Sequence, residues 1–313
     1  MRNVHRLTEG AILLALFAIL LGITLYVPIL GTVVNFFLSL PFMIFAAKNK
    51  RKDAAVFLIA SLLISLIIGT FLALPLTLAF GLTGIVIGDF IRNGKPRNTA
   101  FIAGSIVFLF NLVIVYVVTV VFLSINFIED SIQLLRESIE QSTQIVSSLS
   151  LLGEPDEAMI QQLYAAVELL HTLTPSLFVL FSFIAVFIIQ LVSYPILKRL
   201  GMKVVVGEPF RNLKLPRNIL YLFILAFLAS LIFQPDSGSY FHLALSNISY
   251  ILQLLIIIQG FSFITYISYQ KKWPKAVPIL ALISIMLIPI VLYIVWILGI
   301  IDLGLDLRNK LTR

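Results

Sequence analysis

The sequence contains no cysteine, and only 12% of its 313 residues are charged. The absence of cysteine excludes disulfides, thiolate metal sites and cysteine nucleophiles, and it leaves the compartment to be read from topology. So few charges would leave a soluble fold of this length without enough polar surface to cover itself. The chain is instead 60% hydrophobic, with a mean hydropathy of +1.07, which predicts a protein embedded in lipid.

Motifs of nucleotide and hydrolytic chemistry are also missing. No Gly-rich loop precedes Lys-Ser or Lys-Thr, and Gly-x-Ser-x-Gly does not occur. His171 and His242 lack a second ligand at metal-binding spacing. No predicted span has an ionisable residue near its centre, and Asp89, close to Arg92 at the end of a span, is interpreted as a paired interfacial carboxylate. We therefore expect no enzyme activity, no catalytic residue, no cofactor and no metal.

Positive charge is sorted along the chain. Clusters of Lys and Arg fall at every second junction between apolar blocks, where they retain loops in the cytoplasm and face anionic lipid. The net charge of +7 is explained by these loops, so we expect the lipid bilayer and not nucleic acid as partner. All Lys and Arg are assigned to the cytoplasmic side except Arg136, Arg308, Lys310 and Arg313. The pattern predicts a multi-pass protein of the bacterial plasma membrane with a cytoplasmic N-terminus.

The apolar blocks predict an all-α, polytopic transmembrane helix bundle of eight or nine spans, since about 20 helical residues cross a bilayer. Five spans are predicted in 1–126, a sixth in 173–200, a basic cytoplasmic loop in 201–217, and three further spans with a tail in 218–313. The third and fourth spans, within 54–91, form a hairpin that bends at Leu74-Pro75. A full crossing is favoured for the ninth block, 276–301; Pro278 and Pro289 leave a broken or re-entrant helix as the alternative.

Residues 127–172 are predicted to form an extracytoplasmic helical hairpin. This segment is rich in Asp and Glu, and Arg136 is its only Lys or Arg residue. Two amphipathic helices are expected, separated by a break at 153–155, with Pro155 opening the second. The hairpin is interpreted either as a cap over a substrate cavity or as a plain connection.

Small residues recur at helical spacing on two spans, which indicates faces where helices approach closely. The first span carries such a stripe, and we expect it to pack within the chain, with contact to another protein as the alternative: Ala11, Ala15, Ala18 and Gly22. The fourth span carries the other stripe: Gly81, Gly84 and Gly88.

Uncharged polar side chains lie within several spans. Unpaired amides are costly in hydrocarbon, so these groups must meet each other, the backbone or a ligand. Both readings remain open, helix-to-helix hydrogen bonding and a pocket for a small solute. The candidate binding residues are Asn35, Asn111, Tyr116, Gln190, Tyr194, Tyr250 and Gln253. The eighth span has a further polar face, formed by Gln259, Ser262, Tyr266 and Tyr269.

The chain resembles the YybS-like family of predicted bacterial membrane proteins over nearly its whole length. The matching features are the basic N-terminus before an Ala-rich span, the Gly-rich fourth span ending in Gly88-Asp89, and the loop at 209–216. The family is of unknown biochemical function and is distantly similar to the substrate-binding S components of energy-coupling-factor transporters.

The distant similarity implies a six-helix bundle that captures a small solute and depends on a separate ATPase and membrane coupling module. Ala11 and Ala15 match in form the pattern by which S components contact that partner. The three extra C-terminal spans and the acidic insertion depart from it. The leading hypothesis is therefore a transporter-type protein without its own ATPase; the alternative is a non-transporting scaffold or regulator that recruits partners.

Overall fold

The computed structural model describes residues 2–148, 156–236 and 238–308, and these residues contain helices and no strand. The all-α prediction is confirmed. In chain order the helices are α1 (Arg2–Tyr26), α2 (Pro28–Val34), α3 (Ser39–Lys48), α4 (Arg51–Gly69), α5 (Ala73–Arg92), α6 (Arg97–Leu123), α7 (Phe127–Ser148), α8 (Glu157–Thr172), α9 (Thr174–Arg199), α10 (Asn218–Phe233), α11 (Tyr240–Gln270), α12 (Ala276–Leu287) and α13 (Pro289–Leu305).

The chain divides into two compact units. Unit 1 comprises Met1–Asn126 and Leu177–Gly207, and unit 2 comprises Phe127–Ser176 and Glu208–Arg313. Unit 1 therefore contains α1 to α6 and most of α9, while unit 2 contains α7, α8 and α10 to α13. The break at 153–155 predicted between the two amphipathic helices lies outside the described residues.

Six helical stretches are long and apolar enough to cross a membrane, and the bent pair α12–α13 would make a seventh. One of the six, Arg51–Arg92, is 42 residues long, yet it folds back on itself. Arg51 Nη2 lies 2.7 Å from Asp89 Oδ2, and the Ser65 and Thr77 hydroxyls are 2.6 Å apart. The predicted hairpin of α4 and α5 is thus present, and the count of nine spans stays a prediction.

The hairpin turns earlier than predicted. A short 3-10 turn at Thr70–Leu72 separates α4 from α5, and Thr70 has a left-handed φ of 57°. The predicted bend at Leu74-Pro75 is wrong because Pro75 lies in the first turn of α5, where a missing backbone N–H costs no helical hydrogen bond. A second 3-10 turn, at Asn35–Phe37, interrupts the second apolar block between α2 and α3.

The charged ends of α1, α3, α4 and α5 gather at one end of unit 1. Ion pairs join Arg6 to Asp53 and Lys48 to Glu9. Asp89 is held by Arg92 as well as by Arg51, which confirms its reading as a paired carboxylate. At the opposite end of the unit, the Tyr26 hydroxyl donates to the Ile68 carbonyl. We call the first of these the basic end of unit 1.

The glycines of α5 lie against the backbone of α3. A Cβ added at Gly84 would lie 2.5 Å from the Ser39 carbonyl oxygen, and one at Gly88 would lie 2.6 Å from that of Met43. At Gly81 the added atom would meet the Phe42 ring. The prediction of close helix packing along this stripe is confirmed, since only glycine permits so short a distance between two helix backbones.

The stripe on α1 behaves differently. Ala11 and Ala15 are exposed, and a Cβ added at Gly22 would meet nothing within 4 Å. Ala18 is only partly buried. The expectation that this stripe packs within the chain is wrong, because α1 buries its neighbouring face instead, through Leu13, Phe17 and Leu21.

In unit 2, α7 and α8 form an antiparallel hairpin. Arg136 at the middle of α7 pairs with Glu168 of α8 at 3.0 Å, and Glu129 lies 3.6 Å from His171. The two paired helices predicted within 127–172 are therefore present in the described residues, and their extracytoplasmic location stays a prediction. Its second helix starts two residues later than expected, at Glu157, because the Asp156 carboxylate caps it by accepting from the Ala158 N–H.

The ninth apolar block is not one helix. It breaks at Ile288 before Pro289, and α12 and α13 are bent by 118°. A 12-residue helix such as α12 is about 18 Å long, well short of a hydrocarbon core of about 30 Å. One continuous helix across this block is therefore ruled out, and the alternative of a broken or re-entrant helix describes it.

Helix α13 runs in the same direction as α11 and touches it along two glycines. Gly260 abuts the Val295 carbonyl, and Gly299 abuts the Ile256 carbonyl. Toward the C-terminal end of α13, Asp302 accepts a hydrogen bond from Gln259 of α11. Since α12 leaves the C-terminal end of α11 and α13 returns to it, both ends of the bent pair lie at one end of unit 2. Arg308 was assigned to the opposite side from the basic loop, yet it donates to the Arg211 carbonyl within that loop.

Apolar side chains cover much of the outside of the helices. Along α6 the large exposed residues recur at helical spacing and include Ile106, Phe110, Val113 and Val117. Contiguous apolar surface of this kind is unusual on a soluble monomer and is what lipid-facing helices present. The molecule is a multi-pass membrane protein.

Candidate functional site

One face of α9 is buried through the core of unit 1 although it carries polar groups. The apolar residues Val186, Ile189 and Leu197 are fully buried there, and Gln190 and Tyr194 lie among them at 1% and 3% exposure. The spacing of three and four residues places all of them on one side of the helix. Two of the predicted candidates therefore lie one helical turn apart in the protein interior.

Arg97, the first residue of α6, reaches this face of α9. Its Nε donates to Gln190 Oε1 at 3.1 Å, and its guanidinium carbon lies 4.9 Å from the centre of the Tyr194 ring. The Arg97 backbone N–H donates to the Val205 carbonyl, which fixes the start of α6 against the segment after α9. We call Arg97, Gln190 and Tyr194 the Arg97 cluster.

Several hydrogen-bonding groups around the Arg97 cluster have no partner in the described residues. They include Gln190 Nε2, the Tyr194 hydroxyl and the Ser193 hydroxyl. The buried hydroxyls of Ser105 on α6 and Thr83 on α5 also have no hydrogen-bond partner there. By contrast, Ser61, Ser65 and Thr77 donate to carbonyls of their own helices. Unpaired buried polar groups are costly, so a ligand or water that paired them would be stabilised.

The three helices that carry these groups meet at Gly104. A Cβ added there would lie 3.0 Å from Ile87 of α5 and 3.2 Å from Val186 of α9. Aromatic pairs continue the contact between α6 and α9, with Phe101 5.6 Å from Phe183. The three helices that carry the unpaired groups are thus packed together within unit 1, and Arg97 lies at its basic end.

The other predicted candidates of unit 1 do not join this cluster. Asn111 donates to the Val107 carbonyl of its own helix, and Tyr116 packs edge-on against Phe178, 5.5 Å away. Both lie toward the far end of α6 from Arg97. Asn35 lies in the 3-10 turn after α2, where its Oδ1 is buried without a partner in the described residues.

Tyr250 and Gln253 belong to unit 2. Both are partly buried on α11. The other polar face of this helix forms a buried hydrogen-bond network instead. None of the candidate binding residues predicted from the sequence lies on that face.

This network, which we call the Asp302 network, comprises Gln259, Ser262, Asp302 and Arg308. Asp302 Oδ2 accepts from Gln259 Nε2 at 2.6 Å and from Arg308 Nε at 3.0 Å. Arg308 also donates to the Ser262 hydroxyl. All four side chains are buried, so the ion pair is shielded from solvent.

The Asp302 network ties the loop after α9 to two helices. The Leu215 N–H donates to Gln259 Oε1 at 2.9 Å, and the Ser262 hydroxyl bridges the Phe210 and Leu213 carbonyls. Arg308 closes it by donating to the Arg211 carbonyl at 2.9 Å. Almost every polar group has a partner, the exception being Asp302 Oδ1. Such an arrangement holds structure together and leaves little for a ligand to bind.

The sequence carried a signal for this network that was misread. Asp302 and Arg308 follow the apolar block 276–301, which Pro289 interrupts. If that block crosses the membrane, both residues lie beyond the bilayer and are not expected to be buried. Asp302 lies three residues from the end of α13, so the observation that no span has a central ionisable residue stands. Its burial arises because α13 turns back against α11.

Within the part of the chain that the structure describes, no group of three or more His, Cys, Asp or Glu side chains is placed to hold a metal ion. The Arg97 cluster is cationic and donates hydrogen bonds, which suits an acceptor or an anion rather than a metal.

Comparison with known proteins gives two matches. The model of a family described as "Predicted membrane protein (DUF2232)" matches residues 15–303. The uncharacterized protein YybS of Bacillus subtilis (strain 168) is 30% identical over 311 residues, which is 99% of each chain. No solved structure matches. The resemblance to the YybS-like family is confirmed, and the more distant similarity to S components stays a prediction.

Proposed function

We propose that this chain, which belongs to the DUF2232 family of predicted membrane proteins, is a transporter-type protein that binds a small solute in unit 1 and has no ATPase of its own. The observation that carries this proposal is that Gln190 and Tyr194, buried on α9 beside Arg97, each keep a polar group without a partner in the described residues. A protein that only needed to hold helices together would pair most such groups, as the Asp302 network does.

The number of helical passes in unit 1 supports a transporter-type protein similar to an S component. Its described residues provide α1, the interrupted pair α2–α3, α4, α5, α6 and α9, which are six passes of the chain. The acidic hairpin and the bent pair α12–α13 lie in unit 2 and are additions to such a bundle. In this proposal energy comes from a separate ATPase and membrane coupling module.

The exposed stripe on α1 supports a membrane partner. Ala11, Ala15 and Gly22 offer a smooth helix surface without side chains that would hold a second helix away, and close backbone approach is how helices associate in lipid. The same surface would serve a non-transporting scaffold. The two functions differ in whether the Arg97 cluster is needed, because a scaffold would retain its partners when that cluster is altered.

A binding experiment tests the solute proposal. The full-length protein in neutral detergent is heated with a panel of vitamins, nucleobases and small anions, and its unfolding temperature is followed. A bound solute should raise that temperature, and Gln190→Leu should abolish the rise. Gln161→Leu, on the exposed surface of α8, is the matched control and should leave it unchanged. A rise that survives Gln190→Leu, or no rise with any compound, would refute solute binding at this site.

The orientation forms part of the same proposal: the basic end of unit 1 and the end of α13 face the cytoplasm of a bacterial plasma membrane, and α7–α8 faces outward. Because the chain has no cysteine, single substitutions report each side. Gln161→Cys should react with an impermeant maleimide in intact cells, whereas Lys203→Cys and Leu305→Cys should react only after permeabilisation. Labelling of Gln161→Cys and Lys203→Cys under the same condition would contradict this orientation.

A further inference from the structure

We propose that the Arg97 cluster binds a phosphate group, either that of an anionic phospholipid or that of a free phosphate-bearing solute. This inference rests on the proposed binding role of the cluster and names the class of ligand. The chemistry that would recognise the group is a guanidinium held in place by one of its nitrogens, with further neutral donors beside it.

The first step of the argument concerns the charge of Arg97. In the part of the chain that the structure describes, no carboxylate oxygen lies within 4.0 Å of a nitrogen of Arg97. Arg6, Arg51, Arg92, Arg136 and Arg308 each have such a partner. Arg97 instead donates from Nε to the neutral Gln190 amide. Its guanidinium is held in place by this bond, but no carboxylate compensates its positive charge.

The second step concerns the neighbours of Arg97. Tyr194 is 3% exposed and Gln190 is 1% exposed, and each retains a donor without a partner, the phenol O–H and the Nε2 amide. A phosphate presents several acceptor oxygens at once, so it can accept from the guanidinium terminus and from these donors together. A neutral solute with one acceptor would leave at least one of these groups unpaired and the charge uncompensated.

The third step concerns access. Arg97 is only partly buried and Lys95, two residues earlier, is exposed, so the cluster opens at the basic end of unit 1. Basic sites between helices at a membrane surface are suited to lipid headgroups. The segment after α9 is tied to the site, because the Arg97 N–H donates to the Val205 carbonyl and Gly207 lies against Asn98.

The test uses the full-length protein in neutral detergent. Its unfolding temperature is measured with inorganic phosphate against chloride of equal ionic strength, and with short-chain phosphatidylglycerol against phosphatidylcholine. We expect at least one phosphate-bearing probe to raise it. Arg97→Gln should weaken the apparent affinity at least about tenfold, as expected for loss of a charged hydrogen bond. The Lys95→Gln variant, which removes a neighbouring exposed charge, should retain affinity within about twofold.

Two further variants keep the result interpretable. Arg97→Lys retains the charge but loses the planar fork, and Tyr194→Phe removes only the hydroxyl; both should bind more weakly than the wild-type protein while folding normally. A response to phosphatidylglycerol alone identifies lipid as the source of the phosphate, and a response to inorganic phosphate identifies a free solute.

Other outcomes overturn the inference. Equal losses in Arg97→Gln and Lys95→Gln would show diffuse attraction of anions. No response to either phosphate probe, together with a Gln190-dependent response to a neutral compound, would refute the phosphate assignment and leave solute binding standing. No response to any compound would refute both.

Discussion

The Arg97 cluster and the Asp302 network use the same kinds of side chain for different ends. Each has an arginine, a glutamine and an aromatic neighbour, with Tyr266 5.3 Å from the Arg308 guanidinium in the second case. In the Asp302 network the arginine is paired with a buried carboxylate and with the backbone. In the Arg97 cluster it donates to a neutral amide and lies over the Tyr194 ring, and neighbouring donors have no partner among the described residues.

This difference gives a criterion for deciding whether a buried polar side chain of a membrane protein stabilises the fold or binds a ligand. Gln190 and Tyr194 are buried as fully as Gln259 and Asp302, so the burial of these side chains does not distinguish the two sets. What distinguishes them is the state of their hydrogen bonds. A network in which nearly every group is paired stabilises the fold and should be sensitive to mutation. A cluster that keeps several unpaired donors contributes less to stability and should matter when a ligand binds.

The largest effect is expected in the Asp302 network. Arg308→Leu leaves the Asp302 carboxylate buried without its counter-ion, and breaking a buried pair in this way costs about 3–5 kcal/mol. The double variant Asp302→Leu with Arg308→Leu should be more stable than Arg308→Leu alone, because no charge remains unpaired. Thermal unfolding in detergent measures both. Equal stability of wild type and Arg308→Leu would contradict the structural role of the network.

A second effect concerns packing in unit 1, whose stability we attribute to close helix contact and not to the Arg97 cluster. Gly84→Ala places a methyl group against the Ser39 carbonyl and should cost about 1–3 kcal/mol through strain. Gly22→Ala makes the same change on the open face of α1 and should be neutral or slightly stabilising, since alanine favours helix. The unfolding temperatures of the two variants should therefore move in different directions or by clearly different amounts.

The smallest effect is expected for Tyr194→Phe without ligand. The hydroxyl has no partner among the residues that the structure describes, so its removal should change the free energy of unfolding by no more than about 1 kcal/mol. Removal of an unpaired buried group can even stabilise. A loss of more than about 2 kcal/mol would mean that this hydroxyl has a partner essential to the fold.

Sequence reasoning predicted much of the membrane architecture. Apolar length and the position of charge found α1, α4 to α6, α9 to α11 and the acidic hairpin, because these features follow from the bilayer itself. The glycines of α5 were interpreted correctly because small residues at helical spacing allow two helix backbones to approach closely in lipid. The stripe on α1 has the same spacing but faces outward, and spacing does not say which face of a helix the neighbouring helix covers.

The remaining errors arose where tertiary contact decides the outcome. Pro289 marks a break, but only the contact of Gly260 and Gly299 with the facing backbones shows that α13 turns back along α11. Gln190 and Tyr194 were found as isolated polar residues in a span. Arg97 was counted only as a topological charge, since its position beside α9 depends on residues 93 positions apart in the chain.

A matched pair of substitutions tests the central claim most directly. Gln190→Leu and Gln259→Leu make the same change at two buried glutamines, and their free energies of unfolding are compared without ligand. Gln259→Leu removes partners from Asp302 and from the Leu215 N–H and should cost about 2–3 kcal/mol. Gln190→Leu should cost less than about 1 kcal/mol, since Arg97 is partly exposed and water can replace the amide. Equal losses at the two positions would contradict the distinction between a binding cluster and a structural network.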